Sequence, residues 1–364
     1  MRGHRSGGMT HHRLLAPLVA AAMLAACGFQ GTDSPEADSD RAESAAQPGS
    51  DGYDDPRTAS QEEARFANGK VELTLPDGVT DEMMGERTPT MLAVQVMLDR
   101  SRHSPGVIDG RGGGNTDRAI RYYREAHGLS GGSEVDRALL ESLFENERGD
   151  VFRTYTVTQA DAQGPFYDVP ESFAAMSDLE KLGYETPLEM LAERFHMDQD
   201  FLRALNLDAD FGKAGTKLVI VSHGNGAIDG EIARIEVRKG DDSLVAFDEA
   251  GDIVASYPAT IGSSRFPSPS GTMDVLAVAP EPNYTFTSEG REWGPEGTYI
   301  LPPGPNNPVG GTWIDLAKEG YGIHGSPDPQ LIAKSNSHGC VRLTNWDAAA
   351  LAKAVGQGVT VEFV

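Results

Sequence analysis

The chain has 364 residues, enough for two or three domains with a sizeable core. Its 55 acidic residues against 31 basic ones give a formal charge of −24, which argues against a nucleic-acid partner because that would require a basic face. The charge favours solubility and says little about the fold.

Arg2, Arg5 and Arg13 precede an apolar run from Leu14 to Ala26, broken only by Pro17. That run is too short to span a bilayer stably, and residues 1–27 read as an export signal. Residues 28–87 are rich in Gly, Ser, Pro, Ala and acids such as Asp33, Glu36, Asp54 and Glu62, and predict an acidic flexible linker. Within it, Val71 to Leu75 has the makings of a short strand.

Residues 88–148 predict a small three-helix domain. Thr88 caps the first helix, with Pro89 at its first position and Met91, Val94, Met97 and Leu98 at helical spacing. Ser104-Pro105-Gly106 breaks it. The second helix runs from Asn115 to Ala126, and the third opens at Asp136 with Leu139, Leu140, Leu143 and Phe144. Residues 151–222 predict a βααβ unit: a strand at Tyr155-Thr156-Val157, a helical stripe of Leu188, Leu191, Ala192 and Phe195, a second helix through Phe201, Leu202 and Leu205, and a closing strand from Lys217 to Ile220. Residues 164–186 look like an insertion into that unit.

Residues 231–364 carry short alternating or apolar runs: Ile232 to Val237, Ser243 to Phe247, Ile253 to Thr260, Thr272 to Val278, Tyr299 to Leu301, Gly311 to Ile314 and Val359 to Val364. Turn residues separate them, which predicts an all-β sandwich or barrel, taken as a mostly-β, sandwich-like domain. The whole chain thus predicts a multidomain α+β protein. Residues 279–311, rich in Pro and Gly, predict a long functional loop in which Trp293 and Tyr299 are candidate lining residues. Thr344 caps a final helix that Gly356 stops.

The chemistry concentrates late. Cys340 is one of two cysteines and the only one in the folded part, with His324 sixteen positions before it and His338 two before it. A thiolate needs a base, and imidazole has the pKa for that task near neutrality. Gly339, lacking a Cβ, lets a substrate carbonyl approach the backbone. His324, His338 and Cys340 also have the makings of a zinc set, but a structural site wants four ligands. The other histidines after the export signal, His103, His127, His196 and His223, lie outside this domain, so no metal is expected.

The ordered run His324-Gly325, a spacer, then Ser337-His338-Gly339-Cys340-Val341-Arg342 resembles the signature of the L,D-transpeptidases of bacterial cell-wall synthesis, over roughly residues 231–364. The resemblance implies Cys340 as nucleophile, His324 as general base with the Gly325 carbonyl fixing its tautomer, and Ser337, His338, Gly339 and Arg342 as site-forming residues. For His338 two roles stay open, the base itself or a group that positions the loop; the resemblance favours the second. Arg342 is either a clamp for a substrate carboxylate or a partner in a structural ion pair. Pro267 to Thr272 is similar to the family's Thr-Pro-Thr-Gly stretch, and residues 279–311 correspond to its lid.

The implied reaction is cofactor-free acyl transfer from a peptidoglycan tetrapeptide stem, through a thioester, to an amine of another stem or of a wall-linked lipoprotein. Transfer to water or to a free D-amino acid is the alternative activity. A non-catalytic wall-anchoring envelope lipoprotein is the alternative class, and labelling of Cys340 by a carbapenem discriminates. Three further resemblances bear on the rest of the chain. Leu24-Ala25-Ala26-Cys27 resembles the lipobox of bacterial lipoproteins, implying lipidation at Cys27 and an anchored location in the cell envelope or periplasm; Gly28 in place of Asp favours the outer membrane. Residues 88–148 resemble a peptidoglycan-binding domain, with Tyr123-Arg124 where that family usually has Phe-Gln. Residues 151–222 resemble a LysM module.

Overall fold

The computed structural model describes residues 64–67, 70–290 and 292–364. Residues 1–27, expected as an export signal ending in Cys27, and most of the acidic stretch lie outside the described residues.

A hairpin of β1 (Ala64–Ala67) and β2 (Lys70–Leu73) leads to a one-turn helix α1 (Asp81–Met84) capped by Thr80. Val71, Leu73, Val79 and Met84 pack into the core below, so from Lys70 onward the stretch expected as linker is part of the fold. Three helices follow: α2 (Pro89–Arg100), capped by Thr88; α3 (Gly114–Ala126); and α4 (Arg137–Asn146), capped by Asp136. The unexpected Tyr123-Arg124 pair serves packing. Tyr123 is buried and stacks on His127 at 4.0 Å between ring centroids. Arg124, buried, pairs with Asp136 at 2.8 Å and donates to the carbonyls of Ser130 and Glu134, closing the α3–α4 loop.

Next come β3 (Phe152–Thr156), α5 (Gln159–Gln163), α6 (Phe173–Met176), α7 (Pro187–Arg194), α8 (Gln199–Leu205) and β4 (Lys217–Val221), with β3 and β4 paired antiparallel. This unit and the helices before it are not separate globules. Leu92, Ala93, Val96 and Ile108 share one buried cluster with Phe152, Leu191, Phe195, Phe201 and Ile220.

The C-terminal region contains β5 (Arg234–Arg238), β6 (Ser243–Phe247), β7 (Ile253–Pro258), β8 (Gly271–Pro280), β9 (Tyr284–Thr287), β10 (Thr298–Leu301), β11 (Thr312–Leu316), β12 (Gly322–His324), β13 (Val341–Arg342), α9 (Asn345–Ala354) and β14 (Thr360–Phe363). The mostly-β region expected here, a sandwich or barrel, is one mixed eight-stranded sheet in the order β13-β12-β11-β8-β14-β5-β6-β7. Val341 at one edge and Tyr257 at the other belong to the same buried cluster, with Leu351 and Val355 of α9. A sheet whose two edges meet in one core must curl around it. The expected long loop also differs, because β9 and β10 form a hairpin inside it.

The N-terminal helices dock on this sheet through polar contacts. Ser104 N–H donates to the Ser256 carbonyl at 2.9 Å, and Tyr122 hydroxyl bonds Asp241 and Ser243 at 2.5 and 2.7 Å. On the other side Asp99 accepts from His196 and from the Gly224 N–H, while the His196 ring stacks on Trp346 of α9 at 4.9 Å.

Ser104 Oγ also donates to Asp347 Oδ2 at 2.9 Å. Burial pushes Asp347 up to about 7; the bond to Thr344 and the neighbouring Asp99 act in opposite directions on it. A carboxyl whose folded pKa lies above its unfolded value stabilises fully below the unfolded value and loses that contribution as pH rises through the folded one. Wild-type stability should therefore fall, relative to Asp347→Asn, by about 1.4 kcal/mol per pH unit between about pH 4 and 7. Thermal melts across that range should show the variant gaining several degrees on wild type; parallel curves would contradict the buried neutral carboxyl.

Candidate active site

The site begins with strand pairing. β12 and β13 run parallel and place His324 opposite Arg342, while β11 pairs with β12 antiparallel and places Trp313 opposite His324. The ladder continues on the other side of β13, where Thr260 and Arg342 exchange both backbone bonds at 2.9 Å. His324 therefore sits in a backbone frame fixed on two sides.

Its ring is buried, and Nδ1 lies 2.7 Å from the Gly325 carbonyl oxygen. A carbonyl only accepts, so Nδ1 carries the proton and Nε2 is the basic nitrogen. The Trp313 ring stacks on the imidazole at 5.4 Å and 21°, and its Nε1 donates to Asp315 at 3.2 Å. Burial first, then the Arg342 charge, lowers the His324 pKa to about 3, partly opposed by the Gly325 bond. The imidazole is thus neutral across the physiological range.

The loop before β13 carries the sulfur. Ser337 Oγ accepts from the Gly339 N–H at 3.0 Å and donates to the Cys340 carbonyl at 2.5 Å, cinching four residues into one turn. Gly339 holds φ at +120°, and a Cβ there would meet the Tyr321 ring at 2.8 Å, so both conformation and space demand glycine. Its N–H is committed to Ser337 and its carbonyl accepts from Ser268 Oγ at 2.7 Å; Ser268 also accepts from the Gly262 N–H at 3.0 Å. Cys340 is half-buried, with Sγ 3.5 Å from the Gly320 carbonyl oxygen.

His338 stacks on Trp293 at 3.9 Å and 16°, with Phe266 tilted at 4.9 Å on it. These contacts join the loop before β13 to the β9–β10 region. Among the described residues Arg342 has no carboxylate within 4.0 Å, and its Nε is buried without a hydrogen-bond partner.

His324, Ser337, His338, Cys340 and Arg342 line one cavity of about 320 Å³, together with Trp293, Trp313 and Ser326. Gly325 and Gly339 stand behind it as backbone supports. Among the described residues the one metal-like group is Asp99, His196 and His223, whose donor atoms lie within 4.8 Å of one another. None of the three lines this cavity.

Three contributors were not singled out from the sequence: Trp313, Ser268 and Asn345. Asn345 Oδ1 accepts from the Gly311 N–H at 3.3 Å and packs so closely that a Cβ on Gly325 would meet it at 2.1 Å. Trp313 was legible as a polar-face position in an alternating strand. Ser268 lies in the stretch already noted as similar to Thr-Pro-Thr-Gly. Nothing local distinguishes Asn345 from an ordinary first helical residue.

A half-buried thiol and a tautomer-fixed neutral imidazole line one cavity, the two groups that cysteine acyl transfer uses, and residues 232–363 match the YkuD family model, described as the L,D-transpeptidase catalytic domain. The chain is 40% identical over 70 residues to a Bacillus licheniformis protein assigned as the L,D-transpeptidase YkuD, covering 18% of this chain and 42% of that one. It is 44% identical over 57 residues to the Bacillus subtilis counterpart, covering 16% and 35%. The chain thus spans less than half the length of these two relatives. Among solved structures it is similar to an L,D-transpeptidase from Mycobacterium smegmatis, at 21% identity and a TM-score of 0.32, covering 42% of this chain and 63% of that one. For L,D-transpeptidase 3 from Mycobacterium tuberculosis in complex with a faropenem-derived adduct the values are 16%, 0.31, 43% and 76%.

Replacing Ser268 by Ala leaves the buried Gly339 carbonyl and Gly262 N–H without this partner, a local loss of about 1–3 kcal/mol. Stopped-flow acylation by a carbapenem should slow by roughly tenfold, and the melting midpoint should fall by a few degrees. An unaltered rate would remove Ser268 from the positioning of the loop.

Proposed function

We propose that the protein is a cysteine L,D-transpeptidase acting on peptidoglycan tetrapeptide stems. The observation that carries this reading is the shared cavity of Cys340 and His324, with Nδ1 tied to the Gly325 carbonyl. His324 Nε2 takes the thiol proton as Sγ attacks the carbonyl of the third stem residue. The tetrahedral intermediate collapses to a thioester, and His324 returns the proton to the departing D-alanine amine. An acceptor amine then attacks the thioester carbonyl, gives its proton to His324, and the sulfur leaves to be reprotonated. One amide is exchanged for another, so the reaction needs no cofactor and no external energy source.

Arg342 stands over this cavity as the clamp for a stem carboxylate, since a guanidinium binds a carboxylate through two parallel bonds. His338, packed against Trp293, positions the loop under the lid. The acceptor is a second stem, giving a 3→3 crosslink, or a wall-attached lipoprotein. The export signal and Cys27 support anchoring of the mature protein to an envelope membrane by lipid. The helical and βααβ units are read as peptidoglycan-contacting modules of the peptidoglycan-binding and LysM kinds.

Purified wild type should be labelled by a carbapenem, as read by intact mass, and should crosslink donor and acceptor stems; Cys340→Ala should do neither, with turnover reduced by on the order of 10³-fold or more. Crosslinking that survives the Ala variant would overturn the reading.

The His324 pKa of about 3 sets the pH behaviour. The base stays deprotonated as pH falls, so carbapenem acylation should lack an inflection near 6.5 and stay flat from about pH 7 to 5. Because the Arg342 charge is a depressing influence, Arg342→Gln should move the acid limb upward while raising the donor KM by about tenfold. A wild-type limb at the ordinary histidine value would contradict the buried neutral base.

A further inference from the structure

We propose that the insertion in the βααβ unit, residues 164–186, is a built part of the catalytic cavity and sets its specificity, with Phe173 and Met176 as an apolar wall for the donor peptide. This rests on the transpeptidase reading above.

Phe173 and Met176, the two ends of α6, line the same cavity as Cys340, His324 and Arg342. Phe173 also holds the lid hairpin. Its ring meets Phe286 edge-on at 5.1 Å, and Tyr284 and Tyr299 at 6.4 Å each. Phe286 in turn packs on Trp293 at 5.2 Å, and Trp293 stacks on His338, two residues from the nucleophile. An unbroken run of ring contacts therefore joins the insertion to the catalytic loop. Edge-on aromatic pairs of this kind contribute about 0.5–1.5 kcal/mol beyond their buried area.

Backbone bonds clasp the insertion to the segment after β10. Leu182 N–H donates to the Pro303 carbonyl at 2.9 Å, and Asn306 N–H donates to the Leu182 carbonyl at 3.0 Å. Asn306 Nδ2 reaches the Gly183 carbonyl at 3.0 Å and Glu189 at 2.7 Å. Gly304 makes the approach fit: its φ is +145°, and a Cβ there would fall 2.0 Å from the Leu182 carbonyl oxygen. The Lys181–Glu281 pair at 2.9 Å is exposed and adds little.

The wall fits a particular part of the ligand. Arg342 and the imidazole supply charge and proton transfer on their side of the cavity. A ring and a thioether supply neither, and match the methyl and methylene groups of a stem peptide. Removing them should weaken ground-state binding and leave the chemistry of the sulfur intact.

The test uses the full mature chain carrying Phe173→Ala with Met176→Ala, neither position being buried, and separately Gly304→Ala. Steady-state turnover of a tetrapeptide donor should show KM raised by about tenfold in the double variant, with kcat changed by less than about threefold. Alkylation of Cys340 by iodoacetamide, which needs no wall, should keep the wild-type rate. Gly304→Ala should raise KM in the same direction without touching the cavity lining. Tetrapeptide affinity of Cys340→Ala, with and without the wall residues, separates this inference from the transpeptidase reading. Wild type that turns over donor with KM and affinity indifferent to the wall overturns the inference alone. A chain without turnover whose stem affinity still drops about tenfold with the wall supports the wall and overturns the enzyme. Absence of both turnover and stem binding overturns both.

Discussion

The site depends on two short strands lying side by side. With β12 and β13 in parallel register, His324 and Arg342 become neighbours, and the loop between them must return the Cys340 sulfur to the same cavity. Neither strand has enough residues to be stable by itself. β12 is held by β11, whose own partner β8 is the long strand of the sheet, and β13 is held by the segment at Thr260. The curl of the sheet therefore decides the chemistry. A one-residue slip of β12 would send the imidazole to the opposite face and replace it with Ile323 or Gly325.

Around this frame the polar groups that fix the site are themselves buried. The Gly325 carbonyl orients His324, Asn345 packs against Gly325, and the Asn345 amide donates to both oxygens of Glu193 at 3.1 Å. Burial pushes Glu193 up to about 7 despite the Tyr184 hydroxyl and the Asn345 amide, each of which favours the ionised form. His103 and His223, meanwhile, are lowered to about 3, burial being the leading cause for each. The two sets pull in opposite directions: the histidines stabilise the fold less as pH drops below their ordinary value, the carboxyls less as pH rises past theirs.

The sequence displayed the helices well. Thr88, Asp136 and Thr344 cap where their side chains predicted, because capping is decided within a few residues. Apolar strands such as β6 were equally plain, as was the motif that carries the thiol. What stayed hidden has a common cause. β12 and β13 are too short for periodicity, β9 sits among prolines that read as loop, and the single curled sheet follows from pairings between strands far apart in the chain. Trp313 and Asn345 matter only because another strand or helix brings His324 and Gly325 to them. Local pattern reports local geometry; a site assembled across the ladder leaves its supports unmarked.

The N-terminal units pack on each other and on the C-terminal region. Helices α2 and α8 bury side chains in one cluster, α3 rests on β6 and β7, and Trp346 of α9 stacks on His196. Glu193, which reaches Asn345, belongs to α7, and the insertion just before α7 reaches the lid. A hinge between these parts would have to expose buried apolar surface and break buried hydrogen bonds together, at roughly 25 cal/mol per Å² for the surface alone. The three parts therefore form one platform within the described residues. On such a platform any ligand contact made by the N-terminal units holds a fixed position relative to Cys340.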